Sequence, residues 1–323
     1  MKIVKDINEF NIDTNTSVAL GNFDGLHIGH KELIKTLVAE SKNNSTKSLV
    51  FTFHPHPLKI LAPEKAPQTI TSLKEKIQLI KNLNVDILAL ITFTHSFSKI
   101  TPKKFIDDLL IKKLKAKLVV VGYNFTFGFN AEGTTVYLKK QKKEKNLDVI
   151  VVPPVKYKGK VVSSTYIRKL IVDGEIELAN CLLGHPYTIE GKVVLGKGLG
   201  KKLGFPTANI KYNPEKILPK FGVYVVGVKV KNKYYKGVVN IGKNPTVSSR
   251  KINVEVYILD FDETIYGENI KILFYKHLRD EKKFDSFDEL KARIMEDVNI
   301  AENFFHYNSN NIDNRVNLFT NWG

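Results

Sequence analysis

Val18-Ala19-Leu20-Gly21-Asn22-Phe23-Asp24-Gly25-Leu26-His27-Ile28-Gly29-His30 is the stretch on which the fold of this chain turns. Val18–Leu20 is a short apolar run. Lys31–Ser41 places Leu33, Ile34, Leu37 and Val38 on one helical face. Between them, glycines at 21, 25 and 29 let the backbone turn sharply and approach a ligand closely. A strand, a glycine turn and a helix start predict a phosphate-binding corner, because free N–H groups and the helix dipole favour anions there. His27 and His30 stand three apart, so both can face one crevice and offset charge on a leaving pyrophosphate. His-x-x-His also suits zinc, although no clear third ligand stands nearby. A structural turn with incidental histidines stays open as well. No Gly-Lys-Ser/Thr follows the glycines, so this is not a Walker A loop.

Outward from this corner, Leu49–Phe53, Ile87–Ile91, Leu118–Val121 and Val149–Val152 read as buried strands rich in Val, Ile and Leu. Leu73–Leu83 and Pro102–Lys113 read as helices, the second with Thr101 as N-cap and Pro102 at N1. Strands alternating with helices predict a doubly wound parallel sheet, with ligands beyond the carboxyl ends of the strands. Near Cys181–His185 the pattern changes. Thr188–Leu195, Val223–Lys229, Tyr234–Asn240, Asn253–Leu259 and Ile270–Tyr275 follow closely, punctuated by Gly and Pro. They predict an antiparallel barrel or sandwich. One amphipathic helix is expected over Phe287–Phe304, and the Asn-rich 307–323 reads as a loosely held tail.

The 323 residues allow about two domains. No apolar run approaches the roughly 20 residues that span a bilayer, and Met1–Asp6 begins no secretory leader. A single cysteine, Cys181, excludes a disulfide framework and a multi-cysteine zinc site, and makes the cytoplasm the expected compartment. Lys+Arg 50 against Asp+Glu 33 gives +17, which attracts polyanions without choosing among them. Much of the excess, such as Lys139, Lys140, Lys142, Lys143 and Lys145, reads as a solvated helix face.

Three further segments suit a nucleotide and a flat ligand. Phe53-His54-Pro55-His56-Pro57 follows the second strand, and Gly122-Tyr123-Asn124-Phe125-Thr126-Phe127-Gly128 a later one. Pro55, Pro57, Phe125 and Phe127 offer apolar surface, and Asn124 can both donate and accept; core packing would explain any one aromatic equally well. In Val162-Ser163-Ser164-Thr165-Tyr166-Ile167-Arg168, hydroxyls at a helix start and an arginine one turn on suit phosphate oxygens. In the strand-rich half, Gly196-Lys197-Gly198-Leu199-Gly200-Lys201-Lys202-Leu203-Gly204-Phe205-Pro206-Thr207-Ala208-Asn209 carries four glycines in nine residues, enough to close over a nucleotide. Such a loop is often a plain hairpin; the trailing Pro-Thr-Ala-Asn argues otherwise. Thr207 and Asn209 are two apart on an extended segment, so they share a face, and both are hard ligands for Mg²⁺. Glu255, between apolar neighbours, is the best general-base candidate, although a strand-surface carboxylate is the commoner fate.

The His-x-Gly-His string resembles the nucleotidylyltransferases. With its flanks and the segments above, it is similar to bacterial bifunctional riboflavin kinase/FAD synthetases over about residues 15–305. The kinase half is supported by Gly237–Gly242 with Pro245-Thr246, then Val254–Val256, Tyr266-Gly267 and Leu278-Arg279-Asp280-Glu281. The resemblance implies an FMN adenylyltransferase domain over 1–183, an antiparallel β-barrel riboflavin kinase domain over 184–306 and a tail over 307–323. It assigns ATP in the first half to Gly21, Phe23, Asp24, Gly25, His27, His30, Ser164, Thr165 and Arg168, and the flavin to Pro55, Pro57, Asn124, Phe125 and Phe127. In the second half it assigns ATP to Gly196, Gly198, Gly200, Lys201, Gly204, Pro206, Thr207 and Asn209. There the base role falls to Glu255, the flavin to Arg279 and Glu281, and Mg²⁺ to Thr207 and Asn209. Lys201 stands where the family usually has arginine, and Lys243-Asn244 replaces a more usual arginine-containing pair. ATP, riboflavin, FMN and FAD are the implied partners, with room for transient self-association and no nucleic acid or membrane. Two other readings stay open: one activity retained of the two, or a basic nucleic-acid-binding regulator.

Overall fold

The computed structural model describes residues 1–10, 13–196, 198–231, 233–243 and 252–320; for 143, 202 and 309–320 it describes the backbone alone. The chain divides into two compact units, Met1–Ser164 and Thr165–Gly323.

The first unit is built on a six-stranded sheet of β1 (Lys2–Val4), β2 (Thr16–Leu20), β3 (Lys47–Phe53), β4 (Ile87–Ile91), β5 (Ala116–Gly122) and β6 (Asp148–Val152). The order is β1-β4-β3-β2-β5-β6, and every pairing is parallel. Strands covered on both faces need apolar residues at every position, which is why β2 and β4 are buried throughout. From β2 the chain passes through α1 (Ile28–Asn43) to β3 on one side; β5 then pairs on the other side of β2. That reversal opens a crevice at the carboxyl ends of β2 and β5, where ligands of such sheets bind. Residues 21–30 and 123–128 leave from those two ends.

The helix predicted over Leu73–Leu83 is α2 (Leu73–Lys81), started by a capping box: Ser72 Oγ accepts from the Glu75 N–H at 3.2 Å and Glu75 Oε2 from the Ser72 N–H at 2.7 Å. Residues 102–113 differ from expectation in type. One α-turn over Pro102–Lys104 runs into a π-helix over Phe105–Lys113, with Phe105, Ile106, Leu109 and Leu110 buried. The lysine-rich α3 (Thr135–Lys145) does present Lys139, Lys140 and Lys142 to solvent.

The second unit begins at Thr165, one residue into α4 (Ser164–Asp173), and continues with α5 (Ile176–Leu183). A closed barrel follows, of β7 (Tyr187–Val194), β8 (Thr207–Tyr212), β9 (Gly222–Val230), β10 (Lys233–Lys243), β11 (Ile252–Ile258) and β12 (Asn269–Asp280), in the order β7-β8-β11-β10-β9-β12. All its pairings are antiparallel. Buried Asn180 ties α5 to the barrel: its amide donates to the Phe274 carbonyl at 2.8 Å and its oxygen accepts from the Tyr187 N–H at 2.7 Å. The barrel therefore carries α5 in its own unit. Tyr187, Tyr224 and Phe274 are fully buried together, with ring centroids 5.5–5.8 Å apart. The alternate residues Val223, Val225, Leu273 and Tyr275 form a second cluster with Ala301 and Phe305 of α6 (Phe287–Thr320). α6 corrects the expected end near Phe304, since the helix continues to Thr320. The Asn-rich sequence lacks apolar periodicity there, which left no stripe to read. No described helix is long and apolar enough to cross a membrane.

Candidate active sites

In the first unit the glycine turn is a tightly tied corner. Phe23 takes a left-handed conformation (φ 49°) and its ring is fully buried; a Cβ at Gly21 would touch that ring at 3.0 Å. Gly25 has φ 78°, a conformation L side chains avoid. His27 is the N-cap of α1, its Nδ1 accepting from the His30 N–H at 3.2 Å. The two imidazoles stack, centroids 3.6 Å apart, rather than reaching out separately. His30 is held well below the ordinary histidine range, first by burial and then by the charges of His27 and Lys76. Its Nδ1 is buried with no hydrogen-bond partner among the described residues.

Asp24 takes a different part from the one its motif suggests. Its buried carboxylate accepts from the N–H groups of Ile70 and Thr71 and from the Thr71 hydroxyl, all at 3.1 Å. It clasps the turn to the segment before α2. Ser164 Oγ donates to the Asp24 carbonyl at 2.9 Å and fixes the same turn from another side. Thr165 and Arg168 follow on α4, within the second unit.

Of the flavin candidates, Phe127 is a core residue, 7% exposed, against Phe105 and Tyr137. Phe125 stacks on it at 5.8 Å and stays half-buried, while Asn124 is exposed. Pro55 and Pro57 sit at the end of β3 with faces open to solvent, and His56 Nε2 lies 3.3 Å from Asn22 Nδ2. Sequence reasoning missed Lys76, buried on α2 with its ammonium 2.8 Å from the Asn22 carbonyl. A lysine on the otherwise apolar stripe Leu73-Ile77-Ile80 was the signal available.

In the second unit the glycine loop leans on the residues it precedes. A Cβ at Gly196 would lie 2.0 Å from Asn209 Nδ2, and one at Gly200 would lie 2.3 Å from the Phe205 carbonyl and 3.1 Å from Thr207 Oγ1. Gly198 and Gly204 have φ of 70° and 87°. These contacts require glycine and hold Thr207 and Asn209 directly beneath the loop. Lys201 is exposed. Asn209 is the register partner of Glu255, Glu255 of Asn240, Asn240 of Val223, and Val223 of Arg279. Directly opposed residues share a face, so Asn209, Glu255 and Arg279 lie on one outer band. Three strand spacings separate Glu255 from Arg279, roughly 14 Å. Glu255 is half-buried, with Asn253 Nδ2 3.4 Å from its Oε1.

Arg279 is held by Asp297 of α6, Nε to both carboxylate oxygens at 3.1 Å and Nη2 to Oδ2 at 2.8 Å. Glu281 Oε1 accepts from the Lys243 N–H at 3.2 Å and would clash with a Cβ at Gly242. Asn244, Pro245 and Thr246 lie outside the described residues. The oxygen donors Thr207 and Asn209, cradled by glycines, fit a Mg²⁺ that travels with ATP.

A family model described as FAD synthetase matches residues 9–166, and one described as riboflavin kinase matches 183–305. The bifunctional riboflavin kinase/FMN adenylyltransferase of Escherichia coli (strain K12) is 37% identical over 308 residues, 94% of this chain and 98% of that protein. The protein of the same name from Bacillus subtilis (strain 168) is 38% identical over 292 residues, 89% of this chain and 92% of that one. A solved structure titled macrolide-efflux protein, from Streptococcus pneumoniae, is similar at 33% identity, with a TM-score of 0.86 over 93% of this chain and 98% of that chain. With both halves matched in order and relatives covered nearly end to end, this chain belongs to the bifunctional riboflavin kinase/FMN adenylyltransferase family.

Proposed function

We propose that the chain phosphorylates riboflavin to FMN on its barrel and adenylylates FMN to FAD on its parallel-sheet unit, spending one ATP at each step. On the barrel, Glu255 accepts the proton of the terminal ribityl hydroxyl as that oxygen attacks the γ-phosphorus of ATP; ADP leaves. The loop from Gly196 to Gly204 covers the phosphates, and Arg279 and Glu281 face the flavin. Thr207 and Asn209 would hold Mg²⁺, which neutralises phosphate charge when bound.

On the parallel sheet, a phosphate oxygen of FMN attacks the α-phosphorus of a second ATP. FMN brings its own nucleophile, so positioning and charge stabilisation carry the catalysis. His27 and His30 steady the departing pyrophosphate. Phe125, Asn124, Pro55 and Pro57 receive the flavin. The observation that carries this reading is the register Asn209–Glu255 beneath a loop only glycines allow, in a chain whose other unit stacks two imidazoles at a helix start. A solvent-facing lone Cys181 suits the reducing cytoplasm. We assign the adenylyltransferase to residues 1–183, the kinase to 184–306 and leave 307–323 as an appendage.

The test incubates the chain with riboflavin, ATP and Mg²⁺ and separates FMN from FAD over time. His27→Ala with His30→Ala should abolish FAD while FMN accumulates; Glu255→Ala should abolish FMN yet still convert supplied FMN. Folded variants that each lost both activities would overturn the division.

A further inference from the structure

Lys76 is a buried cation of the first unit that this scheme leaves unused. Its side chain enters the first unit from α2, 8% exposed, and its ammonium donates a single hydrogen bond among the described residues, to the Asn22 carbonyl. Asp24 acts on it through space, and burial lowers its affinity for the proton. An ammonium has three N–H donors, so two are unspent. Buried polar groups in folded proteins find partners, and a buried charge needs them most.

A second group points the same way. Nδ1 of His30 is buried and also lacks a partner among the described residues, and the Lys76 charge is felt at that ring. Lys76 holds the turn through Asn22; His30 holds it by stacking on His27 and by an edge contact with Phe23, centroids 5.3 Å apart. Unspent donors on a cation and an orphan ring nitrogen thus flank one turn whose helix start favours anions. What would complete them is an anion with several oxygens. We propose that Lys76 is a further binding residue of the adenylyltransferase site, its ammonium contacting the polyphosphate of ATP; this rests on reading residues 21–30 as that ATP site.

The experiment uses the full chain with Lys76→Gln, Lys76→Met, Lys76→Arg and, as a control on the site itself, His30→Ala. FAD formation from FMN and ATP gives KM for each substrate, and product inhibition gives Ki for pyrophosphate. Gln keeps an N–H for the Asn22 carbonyl while removing the charge, so it carries the test if Met unfolds the unit. Loss of one charge-assisted hydrogen bond should raise KM for ATP and Ki for pyrophosphate together by about tenfold or more. KM for FMN should stay near its parent value, and Arg should restore both constants. Unchanged constants in Lys76→Gln would overturn the proposal, as would all three constants moving together, the mark of a merely structural lysine. His30→Ala that still made FAD at the parent rate would instead sink the ATP-site reading.

Discussion

Replacing Asp297 by alanine removes the carboxylate that two guanidiniums share. Arg279 donates three hydrogen bonds to it, and Arg293 Nε lies 3.6 Å away. Without it Arg279 keeps, among the described residues, the Asp280 carbonyl at 3.4 Å and the Phe284 ring at 5.5 Å, and Arg293 keeps Glu296 at 2.6 Å. The Asp297 side chain is 3% exposed and that of Arg279 16%. Breaking a buried ion pair from one side costs about 3–5 kcal/mol, and the partial wetting of Arg279 favours the lower end, near 3. For a unit of this size that is a fall of about 6–12 °C in its melting temperature. Calorimetry of the full chain should show the shift in the barrel's transition. The kinase should also lose affinity for riboflavin, because Arg279 stands on the Glu255 band and its shortest hydrogen bonds come from Asp297 of α6: KM for riboflavin should rise about tenfold with KM for ATP little changed. Asp297→Glu should recover part of both effects. A melting shift below about 2 °C, or an unaltered KM for riboflavin, would refute the argument that this pair positions Arg279.

Asp24→Ala should lower the stability of the first unit by about 3 kcal/mol or more, since two buried N–H groups and a hydroxyl lose their acceptor; urea unfolding checks this. Gly200→Ala should raise the kinase KM for ATP about tenfold and leave FAD formation from FMN untouched, because the new methyl meets the Phe205 carbonyl beside Thr207. His30 has a folded pKa below its unfolded one, so below about pH 6.5 the unfolded chain takes up a proton that the folded chain refuses. The first unit should therefore lose stability on acidification by up to about 1.4 kcal/mol per pH unit. His30→Gln should flatten that slope in melts recorded from pH 7 to pH 5.

Elements with long, one-sided or continuous apolar runs were readable from the sequence: β2 to β6, the barrel strands other than β8, and α1. β1, with three residues, offers too little pattern, and its place beside β4 is set by the sheet. β8 was legible only as an extended segment, since Thr207, Ala208 and Asn209 make no apolar run. The π-helix over 105–113 depends on packing that spacing cannot express. Residue types marked the candidate segments; how each side chain is spent was not legible in them. Asp24 carries a motif position yet spends its carboxylate inside the protein, and Phe127 is spent on the core. Lys76 and Asp297 escaped because each acts across distant segments, α2 to residue 22 and α6 to β12, a relation no local window contains.

The cap on α1 has a consequence for the polarity of the first histidine. With Nδ1 committed as acceptor to the helix's opening amide, the neutral ring must carry its hydrogen on Nε2. Nε2 is therefore the donor of that ring, and Nδ1 its acceptor. The fold itself thus fixes the tautomer: a cap at the start of one helix decides which nitrogen of the ring carries the hydrogen.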